Sequence, residues 1–276
     1  LVVLVDGDLV LYVERGGKTL LSWTEDEQVL KEAATALSGA VAAGALGRMV
    51  VQKADGASVH ASTPLSDALQ AAGFNALVFH YSGCFGSDGD YSLAHNIEDA
   101  NSVLDFLLAD REHGIDRDKI YAVGHSMGGF VCGRLAAKRS GIKAAAILMA
   151  CDVGRIWELE RSDKAAFDTL CAVLDDSAQW LRGASLEGFL AELKEFGEDW
   201  RLEAAAKALA DKPLLCVSAL RDRHTPYTAH CRPLETAVAA EGKGRLQTLT
   251  LDADHYATEC RGDLIAAVIG FLKAQE

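Results

Sequence analysis

The chain has 276 residues, of which 50% are hydrophobic and 24% charged, a composition that buries a core and excludes wholesale disorder. Its 27 basic and 40 acidic residues give a formal net charge of −13, with no basic block, which argues against gripping phosphate backbones. No run approaches the roughly 18–20 uninterrupted apolar residues that a membrane helix needs, so no membrane partner is expected.

In chain order, the first 23 residues read as a β-meander. The runs Leu1–Val5, Leu9–Glu14 and Thr19–Trp23 are separated by Asp6-Gly7 and Gly16-Gly17, pairs suited to tight hairpins. Leu1–Val5 is apolar but stops at Asp6 and has no basic flank, so it is not read as a signal peptide; the absence of an initiating Met suggests a trimmed chain or a fragment. Thr24 is expected to cap an Ala/Leu-rich helix reaching about Leu46. Arg48–Lys53 reads as a strand, Asp55-Gly56 as a turn, and Pro64 opens a short helix ending at Gly73.

From Asn75 the rhythm changes to alternating apolar strands and helices. The strands are Ala76–His80, Ile120–Val123, Ala144–Ala150, Leu214–Ala219 and Leu246–Leu251. The helices are Asn96–Ala109, Met127–Lys138, Ala229–Ala240 and Leu264–Lys273. This predicts an α/β fold: a mostly parallel sheet with helices on both faces. Residues 152–212 interrupt it with a charged helical stretch carrying Trp157, Trp180 and Trp200, read as a cap inserted over the strand ends. Residues 1–75 are taken as one segment and 76–276 as the core with its cap. Seven scattered cysteines with no C-x-x-C pair predict reduced thiols rather than a disulfide or zinc framework, favouring a cytoplasmic location.

Gly124-His125-Ser126-Met127-Gly128 fits G-x-S-x-G between a strand and a helix. A serine on that strained turn stands clear of the sheet, glycines on both sides allow close backbone approach, and the Met127 N–H offers one oxyanion donor. A serine hydroxyl needs a base, oriented by an acid. In the order Ser, acid, His, the two late strands end at Asp222 and at His255. Asp222 is taken as the acid, with Asp152 as the alternative, and His255 as the base; Asp254 adjoins His255 too closely to face its ring. His125 is read as a packing residue pointing away from Ser126, and His224 and His230 as rim or surface residues.

GHSMGG, Asp222, His255 and the segment FHYSGCFGSDGDYS resemble the α/β-hydrolase family over about 200 residues, with Ser82 standing where arginine is usual. The resemblance implies a Ser-Asp-His hydrolase needing no metal or organic cofactor. It also implies a His-Gly loop that supplies a second oxyanion donor, and this sequence has no His-Gly pair. By position Lys53-Ala54-Asp55-Gly56 replaces it, so a backbone N–H of Gly56 or Ala57 is the expected substitute, with Arg48–Lys53 paired beside the Ala76–His80 or Ile120–Val123 strand. The first 75 residues resemble instead the C-terminal end of the actinobacterial Lhr-type helicases, which points to a chimera joined near Ala71–Asn75; a divergent hydrolase N-terminus is the alternative.

The expected activity is hydrolysis of small carboxylic esters, with a small-molecule acyl substrate as partner. The alternatives are a catalytically silent fold and a nucleic-acid-binding module. The latter has only Arg15, Lys18, Arg48 and Lys53 to build a phosphate footprint. The aromatics Trp157, Phe167, Trp180, Phe189, Phe196 and Trp200 either roof the pocket or pack within the cap. Oligomeric state is not legible.

Overall fold

The computed structural model describes residues 1–13, 19–24, 26–45, 53–54, 57–58 and 63–276. The chain divides into two compact units, Leu1–Gln70 and Ala71–Glu276.

In the first unit, β1 (Val2–Val5) and β2 (Asp8–Val13) form an antiparallel hairpin. Its turn residues Asp6 and Gly7 lie at φ 51° and 93°, the two positive angles a type I′ turn requires. Strand β3 (Thr19–Ser22) continues the antiparallel sheet. Val10 and Leu11 are buried with Ala33 of helix α1 (Glu27–Ala42). The cap of α1 is Asp26 rather than Thr24: its carboxylate accepts from the amides of Gln28 and Val29, while Thr24 Oγ1 accepts from the Asp26 amide. Helix α1 ends at Ala42, short of Leu46.

The expected strand Arg48–Lys53 falls largely outside the described residues. Its last residue belongs to β4 (Lys53–Ala54), which pairs in parallel with Thr19 and Leu20 of β3 and antiparallel with β5 (Ala57–Ser58). Those ladder bonds commit Lys53 and Ala54 to the front sheet, against the expected place in the parallel one. Helix α2 (Pro64–Ala71) follows, started by reciprocal hydrogen bonds between Thr63 and Ser66.

The second unit holds a four-stranded parallel sheet whose spatial order is its chain order: β6 (Tyr121–His125), β7 (Ala144–Leu148), β8 (Leu214–Ala219) and β9 (Leu246–Leu251). Every residue of β7 and β8 is buried, as continuous apolar runs in the middle of a parallel sheet should be. Helices α3 (Leu93–Ala109), α4 (Met127–Lys138), α9 (Tyr227–Ala240) and α10 (Arg261–Lys273) flank it. The predicted strand Ala76–His80 does not form: the segment enters no ladder among the described residues. Phe79 and Tyr81, edge to face at 5.4 Å, hold it to the core instead, while Leu77 and Val78 stay exposed.

Between β7 and β8 lies the helical insertion: α5 (Val153–Ser162), α6 (Lys164–Ala178), α7 (Leu186–Trp200), a short 3-10 turn and α8 (Ala206–Leu209). It binds the core through main-chain bonds, Tyr91 N–H to Arg182 O at 2.7 Å and Arg182 N–H to Gly83 O at 3.0 Å. The Glu192 carboxylate accepts from the Leu93 and Ala94 amides at 2.9 and 3.0 Å, filling the N-terminus of α3, where the helix dipole favours negative charge. At the position where arginine was expected, Ser82 gives both its amide and its hydroxyl to Asp99 of the same helix. No helix among the described residues is long and apolar enough to cross a membrane.

Glu192→Ala strips two acceptors from α3. It is expected to lower stability by about 1–3 kcal/mol in urea unfolding, and Glu192→Gln, which keeps one acceptor, by less.

Candidate active site

The carboxyl ends of β6, β8 and β9 lead into Ser126, Asp222 and His255. Ser126 lies at φ 55° and ψ −118°, off the allowed regions for a side-chain-bearing residue, and caps α4. The outer glycines of the motif differ. A Cβ on Gly124 would stand 1.9 Å from the Gly128 carbonyl oxygen, an impossible approach. A Cβ on Gly128 would meet nothing nearer than the Tyr81 hydroxyl at 3.9 Å. The expectation that both glycines are needed for close approach therefore holds only for Gly124.

Asp222 and His255 meet: His255 Nδ1 lies 2.7 Å from Asp222 Oδ2, with both residues buried. The carboxylate has four donors. Oδ1 accepts from the His224 and Thr225 amides at 2.8 Å each, and Oδ2 from the Thr225 hydroxyl at 2.7 Å and from His255. Burial alone pushes this acid up, but the bonds from His255 and Thr225 outweigh it and hold its pKa at about 2. The acceptor at Nδ1 is an ionised carboxylate, so that nitrogen carries the proton and the Nε2 lone pair is free. Thr225, three residues after Asp222, was missed in the sequence; D-x-x-T is the spacing at which an aspartate folds a turn back on itself.

The alternative acid is otherwise engaged. Asp152 is fully buried, and both of its carboxylate oxygens lie within reach of the Leu202 amide, at 3.2 and 3.3 Å. Burial raises its pKa to about 6. Its own amide donates to His230 Nδ1 at 3.1 Å. His230 is a buried residue and not a rim one, because α9 turns it inward; burial lowers its pKa to about 4. His224 is exposed as expected, its ring centroid 5.0 Å from that of His255. Asp254 accepts from the Tyr256 and Thr258 amides and shapes the loop after His255.

The Ser126 hydroxyl and the His255 ring share no hydrogen bond, a spacing that catalytic groups often close only around a substrate. The two loops are joined one residue earlier. His125 Nε2 lies 2.7 Å from the His255 carbonyl oxygen, so His125 faces the His255 loop and does more than pack. Arg221 ties the other side, its amide bonding Ala253 O at 3.0 Å and its side chain Asp252 and Glu259. Met127 N–H is the first amide of α4 and has no acceptor within the helix. Of the expected second donors, Gly56 lies outside the described residues and Ala57 is paired with Ala54 in β5.

Asp222, His224 and His255 place ligand atoms within 4.8 Å of one another, as a metal site would. The four hydrogen bonds on Asp222 occupy the lone pairs an ion would need, so the group fits a hydrogen-bonded pair better than a metal centre. The cap aromatics are largely consumed by packing. Phe167, Phe189 and Trp200 are buried; Phe189 meets Tyr91 edge to face at 6.0 Å, and Trp200 meets Phe130 of α4 at 6.0 Å. Trp180 is exposed.

Residues 54–268 match the alpha/beta hydrolase family. An esterase of Pyrococcus furiosus superposes with a TM-score of 0.55 at 19% identity, covering 76% of this chain and 75% of that one. A monoacylglycerol lipase of Paleococcus ferrophilus gives 0.50 at 15% identity, covering 77% and 88%. At these identities the likeness is one of fold. Separately, 59 residues, 21% of this chain, are 44% identical to the Lhr helicase of Mycolicibacterium smegmatis, and span 4% of its length.

Two outcomes follow from this geometry. Gly124→Ala is expected to prevent stable folding, while Gly128→Ala, with open space and a helical position, changes stability by less than about 1 kcal/mol; thermal melts separate the two. Asp152 keeps its proton in the folded chain between about pH 4 and 6, after the unfolded chain has released it, so stability falls as pH rises through that window. Relative to Asp152→Asn, the wild type should lose on the order of 3 kcal/mol between pH 4 and pH 7 in urea unfolding.

Proposed function

The chain belongs to the alpha/beta hydrolase family, and we propose that it is a serine hydrolase of small carboxylic esters. The observation that carries this reading is the 2.7 Å bond between Asp222 and His255, the two groups that follow a strained serine turn in the order a triad requires. In the proposed reaction the Ser126 oxygen attacks the ester carbonyl while His255 Nε2 takes its proton. Asp222 holds the imidazolium through Nδ1–H, and the Met127 amide receives the developing oxyanion. His255 returns the proton to the leaving alcohol, and water then releases the acyl group from Ser126 by the same steps in reverse.

Esters suit this site better than amides. An alkoxide leaves with less proton assistance than an amine, and a chain without a His-Gly pair tolerates the less demanding substrate. Losing one oxyanion donor costs roughly 100- to 1,000-fold in turnover, so slow turnover with intact acylation is compatible with the same machinery.

A fluorophosphonate probe is expected to label the wild type and not Ser126→Ala. Asp222→Asn should lower kcat on p-nitrophenyl acetate by roughly 10²- to 10⁴-fold. Equal labelling of wild type and Ser126→Ala would refute the reading.

A further inference from the structure

We infer that His125 is a positioning residue for the base: its Nε2–H anchors the main chain of His255 and thereby sets where that ring stands relative to the serine next to His125 in sequence. The inference rests on Ser126 as nucleophile and His255 as base. His125 is the last residue of β6, and its Nε2 lies 2.7 Å from an oxygen carried 130 residues further on. A peptide carbonyl has no proton to give, so Nε2 is the donor and the ring is held in one tautomer. The two imidazoles lie 4.7 Å apart between centroids, tilted by 50°.

The loop that carries His255 is fastened at several points, and His125 supplies the tie at the His255 peptide itself. The loop leaves the sheet at β9 and reaches Ala257 in a left-handed conformation, with φ 49°. Ala253 and Ala257 of this loop are fully buried, while Tyr256 is 58% exposed and meets the His255 ring edge to face at 5.1 Å. Arg221 holds Ala253 and Asp252, and Asp254 holds Tyr256 and Thr258. Asp222 fixes Nδ1 of the His255 ring, and His125 fixes its peptide. A side chain of two torsions tied at its backbone and at Nδ1 has little freedom left for Nε2. Because the tie starts from the residue before Ser126, the nucleophile and the base share one frame across the sheet edge.

Either protonation state of His125 keeps the Nε2–H, but a neutral ring suits its place beside the base. The groups facing it are the His255 ring, the Asp222 carboxylate and the Tyr256 ring, whose centroid is 6.0 Å away. Burial lowers its pKa below the ordinary histidine value; the bond to the His255 carbonyl and the Asp222 charge oppose that shift, and the His255 charge adds to it. A second cation here would resist the imidazolium that forms on His255 during attack.

Three variants of the full chain separate anchoring from packing. His125→Gln places an amide donor at the reach of Nε2; His125→Asn falls one methylene short; His125→Phe keeps ring and volume without a donor. Anchoring predicts that Gln retains kcat within about threefold, while Asn and Phe lose roughly 10- to 100-fold with KM unchanged. The downfield proton resonance of His255 Nδ1–H should persist in Gln and broaden or vanish in Asn and Phe. A Phe variant as active as wild type, or Gln and Asn equally impaired with the resonance intact in both, would overturn the inference. If Phe fails to fold, the Gln-against-Asn comparison decides alone. If the wild type takes up no fluorophosphonate, the hydrolase reading fails separately, and the resonance across the three variants still decides the anchor.

Discussion

The arrangement around the site depends on keeping Ser126 at φ 55°. Such a conformation costs a residue with a side chain about 1–3 kcal/mol, and it persists only where neighbours over-determine it. Four main-chain hydrogen bonds do so here. The Ser126 amide donates to Leu148 O, and its carbonyl accepts from the amides of Gly129, Phe130 and Cys151, all between 2.9 and 3.2 Å. At about 0.5–1.5 kcal/mol each, they offset the strain. Two of the four reach the end of β7, so the turn is fastened to the middle of the parallel sheet as well as to its own helix. The missing Cβ of Gly124 then lets β6 and the first turn of α4 close on each other.

The parts legible in the sequence are those fixed by local chemistry and apolar period. β7 and β8 read as continuous apolar runs, the serine turn as a motif, and Asp222 and His255 from chain order along the last strands. Ala76–His80 was misread because an apolar run of strand length reports burial of some residues, not a ladder: Phe79 and Tyr81 are partly buried against the core, and the segment enters no ladder among the described residues. Thr24 and Asp26 are both good cap residues, and only the fold decides which carboxylate or hydroxyl meets the amides two and three residues on. His125 was illegible because its partner is a carbonyl oxygen, which every residue carries, so no side-chain type in the sequence marks it.

The cap aromatics show the same limit. Trp200 and Phe189 pack on Phe130 and Tyr91, so the residues that looked like a substrate roof join the insertion to the elbow helix and to the loop before α3. Glu192 and Arg182 make the same junction with polar groups. An insertion fastened this way uses these aromatics for its junction with the core.

The two buried aspartates show how placement decides chemistry. Both follow strands of the parallel sheet, and either would satisfy a sequence rule for the acid. Asp222 collects four donors, two of them amides of its own turn, and its charge is held down to about pH 2. Burial lifts the pKa of Asp152 to about 6, although the Leu202 and Arg155 amides and the Arg155 and Arg201 charges oppose it. A carboxylate that must face an imidazolium needs its negative charge before the imidazolium exists, since creating it during the reaction would add the cost of burial to the barrier. Asp152 is still partly protonated near pH 6, whereas Asp222 meets that requirement throughout the neutral range. The donors that make it do so are main-chain groups and a threonine, which is why the assignment depends on the turn at residues 222–225 more than on the aspartate alone.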